Sequence, residues 1–161
     1  LSINSSTGQV TGTPTTVGSS AVTITATGAG LSGNASFTWT VNAVGGSCTG
    51  TNATDVTIPD NTTVFSDITI AGCAGNAASN STAEVHIVHT YRGDLVVSLV
   101  APDGTAYVLL NRSGGSADNV DQTFTVNVSS EVANGTWRLR VQDAATADTG
   151  FINTWTLNLR P

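Results

Sequence analysis

The chain has no lysine and no methionine, and its formal cations are five arginines set against eleven acidic residues. A net charge of −6 at pH 7 argues against a nucleic-acid partner, which requires a basic surface to displace counterions from phosphates. Charged residues make up only 10% of the chain, so the polar surface has to come from Thr, Ser, Asn and Gly. No apolar run approaches the length of a membrane-spanning helix, and no membrane partner is expected. No secretory leader is recognisable either, because the first residue already lies in a β pattern; the chain is read as a processed piece of an exported protein. Amphipathic helical periodicity is missing throughout.

What remains is rich in Thr and Val and carries 17 glycines, the composition of many short strands and turns. With 161 residues the chain can build one good core or two small domains. Residues 1–43 and 48–161 read as different modules, joined by a small, flexible linker at 44–47, Val44-Gly45-Gly46-Ser47. The first module shows LSINSSTGQVTGTP, then VTITAT with Val22, Ile24 and Ala26 on one face, a Gly-rich turn from Gly28 to Gly33, and FTWTV at 37–41. These stretches resemble the second half of a bacterial putative-Ig, cadherin-like repeat. Half a sandwich would leave Ile3, Val22, Ile24, Phe37 and Trp39 partly bare, so either this segment packs on the second module or, the favoured expectation, the missing strands lie upstream in a parent chain.

In the second module, Val56 to Ile58 and Val64 to Ile70 flank a turn at Pro59-Asp60-Asn61, and Glu84 to His89, Leu95 to Val100 and Ala106 to Leu110 follow. Phe124, Val126 and Val128 alternate on one face of the next strand. Trp137, Leu139 and Val141 alternate with Arg138, Arg140 and Gln142, and Trp155, Leu157 and Leu159 with Thr156, Asn158 and Arg160. Each such strand has one dry face and one wet face. Two antiparallel sheets packed face to face bury all the dry faces together. Four stretches here, HTYRGDL at 89–95, SLVAPDGTAYVLL at 98–110, NGTWRLRV at 134–141 and DTGFINTWTLNL at 148–159, resemble the P domain, or Homo B domain. That module follows the catalytic domain in furin- and kexin-type proprotein convertases and ends many secreted bacterial proteases. The resemblance implies an all-β fold: a jelly-roll-like antiparallel β-sandwich over 48–161, preceded by a partial Ig-like β-sandwich over 1–43.

The residues supply no catalytic frame. No serine stands in a nucleophile elbow, His-Glu-x-x-His is missing, and His86 and His89, three apart on one strand, point to opposite faces. Arg92-Gly93-Asp94, alone, is the tripeptide that integrins recognise. Within the P-domain pattern it marks a corner between strands, where Gly93 is expected at positive φ, Asp94 as an acceptor of backbone N–H groups and Arg92 beside a carboxylate.

Two acidic loops, Asp118-Asn119-Val120-Asp121 and Asp143 to Asp148, offer oxygen ligands to calcium, which takes six to eight of them. Asp118, Asn119, Asp121, Asp143 and Asp148 are the candidate set, and some secreted bacterial modules of this kind hold a structural calcium; the other reading has them capping turns in water. Cys48 and Cys73 lie outside the general P-domain pattern. In an extracellular protein they are expected to form one disulfide, closing a loop of about 25 residues for roughly 3 kcal/mol, the alternative being two buried thiols. Their surroundings lack zinc spacing. Eight Asn-x-Ser/Thr triplets, at Asn4, Asn34, Asn52, Asn61, Asn80, Asn111, Asn127 and Asn134, are read as products of composition and not as glycan sites. Trp39, Trp137 and Trp155 have apolar neighbours two residues away, which marks them as core and not as a platform for sugar rings or collagen-like chains.

The expected function is that of a non-catalytic, extracellular accessory module of a secreted bacterial endopeptidase, serine or metallo in class. Its partner is the parent's catalytic domain, which it stabilises or targets. The alternative is a stand-alone binding module for polysaccharide, collagen or a cell surface, with Tyr91 and Tyr107 as the aromatic positions that decide.

Overall fold

The computed structural model of the protein describes residues 1–12, 14, 16, 18–41 and 48–160. The chain forms two compact units, Leu1–Val44 and Gly45–Pro161. The expected linker at 44–47 lies outside the described residues. Among the described residues the regular elements are strands, all paired antiparallel, apart from a single 3-10 turn.

In the first unit β1 (Ser2–Ile3) pairs with β2 (Val10–Thr11), and β3 (Gly18–Gly28) pairs with β4 (Leu31–Val41) along its whole length. The short hairpin closes through Asn4, whose Oδ1 accepts the N–H groups of Ser6 (2.9 Å) and Thr7 (3.1 Å). The long hairpin closes in two residues, Ala29 and Gly30, at φ of 50° and 79°. Positive φ at both positions matches the right-handed twist of the flanking strands. The stretch 28–33, expected as a broad turn, is therefore mostly strand. Val22 stands opposite Phe37, and the Phe37 and Trp39 rings lie 6.1 Å apart. This apolar face is open, with Ile3, Ile24 and Phe37 exposed and Val22 and Trp39 half-buried.

The second unit contains β5 (Thr49–Asn52), β6 (Val56–Ile58), β7 (Thr63–Ile70), β8 (Ser81–His89), β9 (Leu95–Val100), β10 (Ala106–Asn111), β11 (Val120–Val126), β12 (Gly135–Asp143) and β13 (Gly150–Asn158). One sheet has the order β10-β9-β12-β7; the other has β11-β8-β13-β5, with β6 also paired to β13. The alternation in β8 shows why these segments are strands: Ser81, Ala83, Val85, Ile87 and His89 are buried, while Thr82, Glu84, His86 and Val88 face outward. Between the sheets, Trp137, Trp155, Ile87, Leu99, Leu139 and Leu157 are fully buried, each side chain contributing about 1.5–3 kcal/mol of apolar burial.

Both indoles in this core find polar partners, as buried indoles require. Trp137 Nε1 donates to the Ala133 carbonyl (3.0 Å), and Trp155 Nε1 on β13 donates to Ser66 Oγ on β7 of the facing sheet (2.9 Å). Cys48 and Cys73 form a disulfide that ties the entry to β5 to the segment after β7. β5 has no large apolar side chain and gives no hydrophobic signal. It is held by close approach: a Cβ on Gly50 would stand 2.5 Å from Ile68 Cγ2 and 3.0 Å from Ile70 Cδ1.

Candidate functional site

At the end of β8 the chain turns through Thr90 and Tyr91 into the 3-10 turn Arg92–Asp94, then enters β9. His89, the last residue of β8, is only 1% exposed. Its Nε2 lies 3.4 Å from Asp143 Oδ2 at the end of β12, and its Nδ1 lies 3.2 Å from the Tyr91 N–H. Nδ1 also lies 3.0 Å from the Tyr91 carbonyl oxygen, so the Tyr91 backbone presents both a donor and an acceptor to this nitrogen. Asp143 in turn accepts the N–H of Ala145 through Oδ1 (3.2 Å). A buried His–Asp pair is two members of a hydrolytic triad, but the nitrogen that a nucleophilic hydroxyl would need is occupied by the Tyr91 backbone. The pair therefore joins the end of a strand in one sheet to the end of a strand in the other. His86 lies on the opposite, outer face of β8, so the two histidines diverge as their spacing required.

Arg92-Gly93-Asp94 is clasped by the loop that follows β10. Arg92 N–H donates to the Ala117 carbonyl (2.7 Å), Gly93 N–H to the Gly115 carbonyl (2.9 Å), and Arg112 Nε to the Gly93 carbonyl (3.1 Å). Gly93 and Asp94 are buried in this corner, and Arg92 is half-buried. Three details differ from expectation. Gly93 does not have positive φ; glycine is required for space, since a Cβ would meet the Gly115 carbonyl oxygen at 2.9 Å. Arg92 reaches the side-chain amide of Gln122 (2.8 Å) instead of a carboxylate. The Asp94 carboxylate faces Arg112 at 3.9 Å instead of accepting backbone N–H groups.

Four of the five candidate calcium ligands are engaged by other groups, three of them by His89 and Thr90. Asp118 is exposed. Asn119 stands at φ 59° and accepts the His89 N–H through Oδ1 (3.0 Å). Asp121 bonds His86 on the outer face (2.8 Å), Asp143 faces His89, and Asp148 accepts the Thr90 hydroxyl. Among the described residues no three of His, Cys, Asp and Glu converge as metal ligands.

Of the aromatic positions, Trp137 and Trp155 are in the core, and Tyr107 is half-buried with its hydroxyl donating to the Glu131 carboxylate, which raises the phenol pKa. Tyr91 is exposed beside a recess lined by Asp94, Arg112, Thr146 and Asp148. The Tyr107–Glu131 contact had no local signal, because its partners are 24 residues apart. Several sequon asparagines also do structural tasks: Asn134 Oδ1 accepts the Cys73 N–H (2.9 Å), and Asn52 Nδ2 donates to the Asp67 carbonyl (2.9 Å).

The outer faces of the two sheets differ in charge. On the five-stranded sheet His86 lies between Asp121 and Glu84, among Thr82, Thr154 and Thr156. On the four-stranded sheet Arg140 stands opposite Phe65 on one side and Ser98 on the other, and Ser98 stands opposite Val108. One row away, Arg138 pairs with Asp67 (3.4 Å).

Residues 78–159, just over half the chain, match the family model of the proprotein convertase P-domain. The chain belongs to that family. Residues 1–42 match the putative Ig domain, so a P domain follows an Ig-type segment. The chain is 62% identical over 106 residues to leupeptin-inactivating enzyme 1 of Streptomyces exfoliatus, covering 65% of this chain and 24% of that protein. It is 47% identical over 130 residues to the transglutaminase-activating metalloprotease of Streptomyces mobaraensis, covering 80% and 17%. A calcium-dependent protease of Trichormus variabilis is 37% identical over 112 residues, covering 63% and 17%. The chain thus spans a quarter or less of the length of these relatives. In fold it is similar to part of a serine protease of Aeromonas sobria, with a TM-score of 0.51 at 19% identity over 89% of this chain and 27% of that one. The P domain therefore occurs here as in bacterial proteases, one of them a calcium-dependent protease.

Proposed function

We propose that this chain is a non-catalytic accessory region at the C-terminal end of a secreted bacterial endopeptidase, and that its P domain stabilises or targets the catalytic domain. The observation that carries the reading is the match of residues 78–159 to the P-domain family, together with relatives named as proteases and several times longer than the matched region. The buried His89–Asp143 pair, walled off from any hydroxyl nucleophile, supports a chain without its own hydrolytic centre. The Cys48–Cys73 disulfide supports an oxidising, extracellular setting. Burial of Trp137 and Trp155 removes two candidate rings of a stand-alone polysaccharide or collagen binder, for which Tyr91 and Phe37 are among the exposed rings that remain.

The mechanism is linkage. Contacts made only to the folded catalytic domain draw its folding equilibrium toward the native state by mass action, and a few kcal/mol decide the outcome because domains are marginally stable. The test compares the parent enzyme with a form lacking residues 48–161, following peptidase activity during incubation at elevated temperature. The truncated enzyme is expected to lose activity several-fold faster, while the 161-residue chain alone hydrolyses peptide substrates no faster than buffer. Equal half-lives would remove the stabilising role.

A further inference from the structure

The recess beside the Arg92–Asp94 corner has a volume of about 470 Å³, and its lining includes Tyr91, Asp94, Arg112, Thr146 and Asp148. Asp94 is only 6% exposed. Among the described residues, however, no donor lies within hydrogen-bond distance of its carboxylate. The Arg112 guanidinium stops 3.9 Å away, its Nε committed to the Gly93 carbonyl (3.1 Å). A carboxylate withdrawn from water is costly until donors reach it, and the recess is the side from which a ligand can supply them.

We propose that this recess binds one organic cation, the ammonium or guanidinium of a basic peptide side chain, with Asp94 and Asp148 as its acceptors and Tyr91 beside its stem. The site adds a ligand to the accessory reading and does not depend on it.

Charge argues for a monovalent cation. Two carboxylates against the single guanidinium of Arg112 leave the recess one negative charge. A divalent metal would have to sit beside that guanidinium, and calcium asks for six to eight oxygens. An ammonium or guanidinium instead brings its own donors to the carboxylates. The Tyr91 ring, 38% exposed at the recess, suits both the cation and the apolar stem that carries it.

Both acceptors are held in place before a ligand arrives. Asp94 follows Gly93, whose N–H is tied to the Gly115 carbonyl (2.9 Å), and its own carbonyl accepts the Ala144 N–H (2.8 Å). Asp148 is fixed through Oδ1 by the Thr90 hydroxyl, which leaves Oδ2 for a ligand. Ala147, just before it, stands at φ 93°, unusual for a residue with a Cβ, and its N–H donates to Asp60 Oδ1 (3.1 Å). Preorganised acceptors of this kind lower the ordering cost of binding.

The test is an NMR titration of the amides of the 161-residue chain, at about 0.15 M salt, with the N-acetyl methylamides of arginine and of lysine. Either probe is expected to shift Tyr91, Gly93, Arg112, Thr146 and Asp148 and to saturate on the order of 1 mM; the tighter of the two identifies the preferred cation. The citrulline counterpart, similar in shape but uncharged, is expected to shift none of them. Asp148→Asn is expected to weaken binding about tenfold, the scale of one charge-assisted hydrogen bond. Asp94→Asn is expected to abolish it; if that change unfolds the chain, Asp148→Asn decides. Asp67→Asn, outside the recess on β7, is expected to bind as the unsubstituted chain does. Absent or unsaturable shifts would overturn the site. So would equal weakening by Asp67→Asn and Asp148→Asn, which would reduce the effect to general attraction toward a chain of net charge −6. Calcium chloride that saturates the same amides and displaces both probes would make the recess a metal site, and the proposal would fall.

Discussion

At the residue scale, His86 shows how a strand's outer face sets the ionisation of a side chain. The hydrogen bond to Asp121 and then that to Glu84 raise its pKa above the ordinary 6.5. A pKa raised on folding adds stability that is fully present below pH 6.5 and is lost as the pH climbs through the raised value. A third of the ring is open to solvent, so screening keeps the contribution small. An NMR titration of the imidazole is expected to show the raised pKa, and Asp121→Asn is expected to bring it down toward 6.5; an unchanged midpoint in that variant would remove Asp121 as the cause. Gly93 presents a different constraint. With the Gly115 carbonyl oxygen 2.9 Å from where a Cβ would stand, Gly93→Ala has to push two backbone segments apart. Overpacking of this kind costs about 1–3 kcal/mol, which urea unfolding of the 161-residue chain would register as a lower midpoint with an unchanged slope.

At the element scale, the disulfide and the strand patterns divide the work. Cys48 precedes an edge strand, β5, that buries little of its own, so the bond to Cys73 across a separation of 25 residues anchors what packing holds weakly. Cys48→Ser with Cys73→Ser is expected to cost about 3 kcal/mol, measured as the loss of unfolding free energy relative to the oxidised chain. β8, β12 and β13 were legible in the sequence because their two-residue alternation records one dry and one wet face. β5 was not, since Gly50 and its threonines have no apolar signal and the strand exists only by fitting against Ile68 and Ile70. The corner at Arg92–Asp94 was legible as a corner, but its partners were not. Gln122 and Arg112 arrive from later in the chain, and only the sheet registers bring them within reach. The same holds for His89 and Asp143, which end strands of different sheets. The acidic loops had the right oxygen donors for calcium, yet composition cannot say that Asn119, Asp121, Asp143 and Asp148 already have partners.

At the scale of the whole molecule, the sandwich has two unlike outer faces, one with Glu84 and Asp121 among threonines and one with Arg138 and Arg140 among apolar side chains. A chain with few charges and no lysine has placed two of its five arginines side by side on one strand face. A docking contact with a dissociation constant of about 0.1 mM, made at an effective concentration of about 1 mM, stabilises the partner domain by about 1.4 kcal/mol. That lowers its unfolded fraction about tenfold, enough to matter for a protease working outside the cell. The most direct measurement is urea unfolding of the parent's catalytic domain, followed by a reporter in that domain, with and without residues 48–161. A higher midpoint is expected when the P domain is attached. Coincident unfolding curves for the whole and truncated enzymes would contradict it.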